Sequence, residues 1–108
     1  MAVQMLLIDF KFTCSQAEYI HAMAPLANDI LEAPGLRWKI WLINESQSTA
    51  GGIYLFDDSS YVQLFLTSPL IANLKRHSAL ADLRVMPFDV LEAETALTHG
   101  PLGKGAKV

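Results

Sequence analysis

From Gln4 to Phe12 apolar side chains alternate along the chain. Leu6, Ile8, Phe10 and Phe12 fall on one face, and Met5, Leu7, Asp9 and Lys11 on the other. A period of two predicts a first strand, buried on one side and mixed on the other. The period then changes. Ser15-Gln16-Ala17-Glu18 has the spacing of a capping box, in which the serine oxygen and the glutamate carboxylate satisfy exposed amides reciprocally. The helix that follows carries a stripe of Ile20, Met23, Ala24, Ala27, Ile30 and Leu31 at 3.6-residue spacing, and Pro34-Gly35 ends it. Pro25 lies inside this pattern, where a missing amide predicts a kink.

Leu36–Glu45 reads as a second strand and Gly51–Asp57 as a third, joined by the polar turn Ser46-Gln47-Ser48-Thr49 into a hairpin. The pair Gly51-Gly52 predicts a bulge or a close backbone approach. Ser60-x-x-Gln63 is a second capping box, opening a helix with Tyr61, Leu64 and Phe65, then Leu70, Ile71 and Leu74, which Pro69 divides in two. Leu83–Leu91 is a fourth strand, and Pro87 confines it to a sheet edge because it cannot donate to a ladder. The order is βαββαβ. Connection rules reduce this to an α+β, ferredoxin-like sandwich with antiparallel sheet order 4-1-3-2 and both helices on one face. That order places the fourth strand at an edge, as Pro87 independently requires. The opposite sheet face is left apolar and uncovered, which predicts a homodimer packed sheet against sheet.

Composition narrows the function classes. The 108 residues are 52% hydrophobic and 18% charged, with formal charge −3. So apolar a chain predicts one folded domain over residues 1–94, with a mobile Gly-rich tail over 95–108. The acidic balance gives no electrostatic footprint for nucleic acid or an anionic membrane surface. No run approaches the roughly 20 apolar residues of a membrane span, and the start lacks the basic region of a signal peptide, so a cytoplasmic location is expected. One cysteine and three scattered histidines form no metal-ligand pattern, and no phosphate-binding glycine loop occurs. No metal or other cofactor is therefore expected.

Three segments carry a family resemblance: APGLRWKIW at residues 33–41, AGGIYLF at 50–56 and FDVLE at 88–92. With the element order, they resemble the monooxygenases of the YdhR family, within the dimeric α+β barrel superfamily. The resemblance implies a homodimer whose two sheets form a barrel, with a cavity between helices and sheet in each subunit. It also implies cofactor-independent oxidation of a small hydrophobic or aromatic compound. The alternative on the same scaffold is a non-catalytic dimer that binds a small apolar ligand. Many superfamily enzymes carry a histidine in the middle of the second helix, where this chain reads Leu66-Thr67-Ser68-Pro69. Haem degradation, which requires an axial histidine, is disfavoured on the same ground.

Cofactor-free oxygenation requires a dry aromatic pocket, one proton acceptor and a group to stabilise an oxyanion. Trp38, Trp41, Phe56 and Phe65 are the candidate walls. Tyr54 is a candidate acid, Asp9 a candidate base if desolvation raises its pKa, and Lys39 a candidate anchor for an anionic substrate. Trp38 and Trp41 have opposite parity, so only one of them can face the cavity. Asp9 and Lys11 share a face and could instead form a surface ion pair. The turn leaves two hairpin registers open, with Trp41 or Leu42 beside Tyr54. The first is favoured by an aromatic pair and would set Lys39 beside Phe56.

Overall fold

The computed structural model describes residues 2–103. The strands are β1 (Gln4–Phe12), β2 (Leu36–Asn44), β3 (Thr49–Phe56) and β4 (Leu80–Asp89). The helices are α1 (Gln16–Leu31), α2 (Ser59–Leu66), α3 (Pro69–Arg76) and α4 (Glu92–Leu97). The sheet is antiparallel with order β2-β3-β1-β4, so the expected ferredoxin-like topology is present, with Pro87 on an edge strand. No helix among the described residues is long and apolar enough to cross a membrane.

β1 keeps its alternation. Leu6, Ile8, Phe10 and Phe12 are buried under the helices, in one cluster with Tyr54 and Phe56 of β3. The first capping box forms as expected: the Glu18 amide donates to Ser15 Oγ at 3.1 Å, and the Ser15 amide donates to Glu18 Oε1 at 2.9 Å. α1 continues through Pro25 as one helix. Its core-facing ridge is Tyr19, Met23, Leu26 and Ile30, one position away from part of the stripe expected for it. Ile20 and Leu31 lie outside the core, 54% and 72% exposed.

Three boundaries differ from expectation for local reasons. α2 is capped by Asp58, which accepts from the Ser60 amide at 2.8 Å; the helix therefore starts before Ser60, and the Ser60–Gln63 box is not its cap. β4 begins at Leu80 because it continues to pair with β1 past an irregularity opposite Asp9–Lys11, where Asp82 adopts φ 55°. The division expected at residue 94 falls within α4. Beyond that helix the chain is held against β2: Trp38 Nε1 donates to the Pro101 carbonyl at 2.9 Å, and Arg37 donates to that of Leu102. Residues 104–108 of the expected tail lie outside the described residues.

The hairpin register is neither of the two expected. A 3₁₀ turn at Glu45–Gln47, with Asn44 Oδ1 accepting from the Gln47 amide and Ser48 left-handed at φ 50°, pairs Asn44 with Thr49. Lys39 therefore pairs with Tyr54, and Trp41 with Gly52. The shift is two residues from the favoured register, so the faces are unchanged. Lys39, Trp41 and Ile43 point to the helices, while Trp38, Ile40 and Leu42 point away.

Gly51 makes the close approach that its sequence suggested. A Cβ there would lie 2.0 Å from the Ile8 carbonyl oxygen, at φ 155°. Gly51→Ala is expected to lower unfolding free energy by about 2–3 kcal/mol through backbone displacement. Chemical denaturation with the two proteins side by side measures it.

Candidate functional site

The helix-side face of β2 ends in a groove. α1 lies across it, and between them is an open apolar volume of about 330 Å³ lined by Ile20, Ala24, Ala27, Trp41 and Ile43. The residues of α1 that lie outside the core ridge thus form the groove wall. Tyr19, Met23 and Trp41 line both this groove and a narrow crevice of about 10 Å³ beneath it. Lys39, Tyr54, Phe10 and Leu74 line the crevice as well. A second hollow of about 590 Å³ lies between the end of α1 and the α2–α3 junction, with Asp29, Glu32 and Ser68 in its lining. The first groove is the better candidate, because it alone leads to buried titratable groups.

Lys39 is the unusual group. Its Nζ lies 3.3 Å from the centre of the Trp41 ring and 4.6 Å from that of Tyr54. The ion pairs among the described residues are Arg37–Asp57 and Arg84–Asp9, so no carboxylate neutralises it. Burial without a counter-charge favours the neutral amine and pulls its pKa down to about 7. The indole face favours the cation and opposes that shift.

Burial pushes the Tyr54 phenol above its usual range, with the nearby Tyr19 adding to the effect. The Tyr19 phenol is raised to about 12, chiefly by burial and secondarily by Cys14. At neutral pH both phenols are proton donors. The Tyr54 ring packs at 5.1 Å from Phe65 and 6.1 Å from Phe56.

The candidates therefore divide. Trp41, Lys39 and Tyr54 come together, with Phe56 and Phe65 behind Tyr54. Trp38 lies on the opposite sheet face beside Leu55, held by the C-terminal segment. Asp9 does not enter the cavity, because odd-numbered residues of β1 face away from the helices. It forms a bidentate pair with Arg84 at 2.8 and 2.7 Å, and that hydrogen bonding holds its carboxyl below the usual range, the reverse of a desolvated base. The Asp9–Lys11 pair is also absent, since Lys11 donates to Thr49 Oγ1 and the Gln47 carbonyl. Sequence reasoning missed Tyr19, whose four-residue spacing from Met23 was the available signal.

The sequence pattern described as "Putative mono-oxygenase ydhR" matches residues 5–101. The chain belongs to the YdhR family. No curated protein matches it significantly. Among solved structures, SnoaB, a cofactor-independent oxygenase from Streptomyces nogalater, is similar at TM-score 0.68 and 16% identity, over 83% of this chain and 94% of SnoaB. NE2512, a protein of unknown function from Nitrosomonas europaea, gives TM-score 0.64 and 22% identity, covering 84% and 91%. The heme-degrader MhuD from Mycobacterium tuberculosis gives TM-score 0.64 and 14% identity, covering 82% and 95%. At these identities the likeness establishes the ferredoxin-like α+β fold that the YdhR-family chain shares with them. Neither a histidine nor the cysteine lines its groove.

The half-buried, unpaired amine of Lys39 gives a signed pH dependence. An unfolded lysine keeps its proton up to about pH 10.5, whereas the folded one releases it near pH 7. Between those values the unfolded chain binds more protons, so stability rises with pH, and the full penalty is present below about pH 7. Lys39→Met is expected to be more stable than the natural chain at about pH 6, by at most ~3–5 kcal/mol. The gap closes as pH approaches about 10. Denaturation curves across this range check it, and a constant gap would refute it.

Proposed function

We propose that this YdhR-family protein is a cofactor-independent monooxygenase, acting as a cytoplasmic homodimer on a small hydrophobic or aromatic compound with an ionisable hydroxyl. The observation that carries this reading is an unpaired amine in the crevice beneath an apolar groove, beside two buried phenols. Asp9 is replaced in the role of base by Lys39. The neutral amine takes the substrate's acidic proton, and the resulting ammonium stays beside the anion and lowers its energy. Trp41 offers the ring a flat face. The electron-rich anion itself reduces oxygen: an activated CH2 group and O2 give C=O and H2O. The Tyr54 phenol is the proton donor for the departing oxygen.

Family membership and the SnoaB-like fold support this reading, and no histidine or cysteine lines the groove. With a phenol bearing an activated CH2 group, uptake of one O2 per substrate is expected in an oxygen electrode. Lys39→Met and Tyr54→Phe should each slow it by about 10²–10⁴-fold, the usual worth of a positioned acid or base. Trp41→Ala should weaken binding. Ligand binding without oxygen uptake by the natural protein would assign the non-catalytic role instead.

The homodimer is supported by Ile40, Leu42, Met86 and Phe88, which remain 41–47% exposed on the sheet face away from the helices. Sheet-to-sheet pairing of this kind covers roughly 2,000 Å² in total. Sedimentation at micromolar concentration should show a dimer, and Ile40→Arg with Met86→Arg should yield monomers. A natural chain that sediments as a monomer would contradict this assembly.

A further inference from the structure

The geometry points to Lys39 as a nucleophile that captures a planar, apolar aldehyde or ketone from the groove as an imine. This is an activity apart from oxygen chemistry, and it does not depend on that reading.

The first support is how the side chain is laid down. A Cβ at Gly52 would lie 2.5 Å from Lys39 Cε and 3.5 Å from its Nζ. Glycine therefore leaves a lane in the sheet surface along which the lysine stem runs, instead of extending to water. The lane ends on the Trp41 ring, with Nζ 3.3 Å from its centre. The second support is what surrounds the amine. From β3 the titratable neighbour is Tyr54, and from α1 it is Tyr19; α3 contributes Leu74. No acid, histidine or arginine lines the crevice. A lysine held to bind a structural partner has an anion beside it, and this one has none among the described residues.

Without a counter-ion, desolvation favours the neutral amine, whose lone pair is free. In water a lysine amine is almost wholly protonated at pH 7 and inert, whereas desolvation without a counter-ion exposes the nucleophile. The Nζ lone pair attacks the carbonyl carbon and a C–N bond forms. Nζ gives up its two protons in turn, one as the carbonyl oxygen becomes the carbinolamine hydroxyl and one as that hydroxyl leaves as water, leaving C=N. One water is released per imine, and neither oxidant nor reductant is consumed. The phenols of Tyr54 and Tyr19 line the same crevice and can supply the proton. The indole face and the apolar groove of about 330 Å³ favour a flat aryl or conjugated carbonyl compound over a polar sugar.

The test uses the folded natural chain with 1-naphthaldehyde and sodium cyanoborohydride, which reduces an imine to a stable secondary amine. Peptide mass spectrometry then compares Lys39 with the exposed Lys11 and Lys75 of the same molecule, so no variant is needed. At pH 7, Lys39 should be labelled at least tenfold faster than either. That preference should vanish when the chain is unfolded in urea. Lys39→Arg should abolish the fast phase, and Gly52→Ala should slow it several-fold by closing the lane. Labelling of Lys39 no faster than Lys11 and Lys75 in the folded protein would overturn the proposal. So would saturable binding of benzoate at the groove with no naphthaldehyde adduct, because the amine would then be an anion anchor only.

Discussion

The middle of β3 has no side chains, and the placement of every group in the site depends on that. Gly51 lets β3 approach β1 so closely that any Cβ would strike the Ile8 carbonyl, which locks the central strand pair. Gly52, next along the strand, faces the helices and leaves the space occupied by the Lys39 stem. Together they accommodate the hairpin register, set at the Asn44–Thr49 turn, in which Lys39 sits opposite Tyr54 and Trp41 lies beside it. A slip of one residue would turn Lys39 and Trp41 to the opposite face.

α1 carries more apolar surface than its core contact uses. Tyr19, Met23, Leu26 and Ile30 pack inward, while Ile20, Ala24 and Ala27 form a neighbouring ridge along the groove. Leaving apolar area in water forgoes roughly 25 cal/mol per Å². This ridge faces an edge strand that bears Trp41, a shape in keeping with the flat substrate proposed above. The opposite sheet face holds a separate excess, Ile40, Leu42, Met86 and Phe88, which a second copy would cover.

Charges on this small domain are handled in two ways. Asp9 with Arg84, and Arg37 with Asp57, are paired and partly in water, where such pairs contribute little to stability. Lys39 is half-buried and unpaired, which costs stability at neutral pH, and the chemistry proposed above would draw on that same unpaired amine. Conflict between local stability and an evident structural purpose is where functional groups tend to lie.

Periodicity and punctuation by themselves determined the element order, the antiparallel sheet with β4 at its edge, and the opposite facing of Trp38 and Trp41. Each of these follows from local chemistry: alternation of apolar residues, a serine–glutamate cap, a proline that cannot donate. The same parity already separated Asp9 from the buried face of β1. Tertiary structure decided the rest. The register depended on how Asn44 and Ser48 shape the turn, a matter of two residues that composition does not express. The choice of ridge on α1 depended on where the sheet lies beneath it. The state of Lys39 depended on which neighbours surround it and which do not, and an absent counter-charge is a property of space, not of sequence.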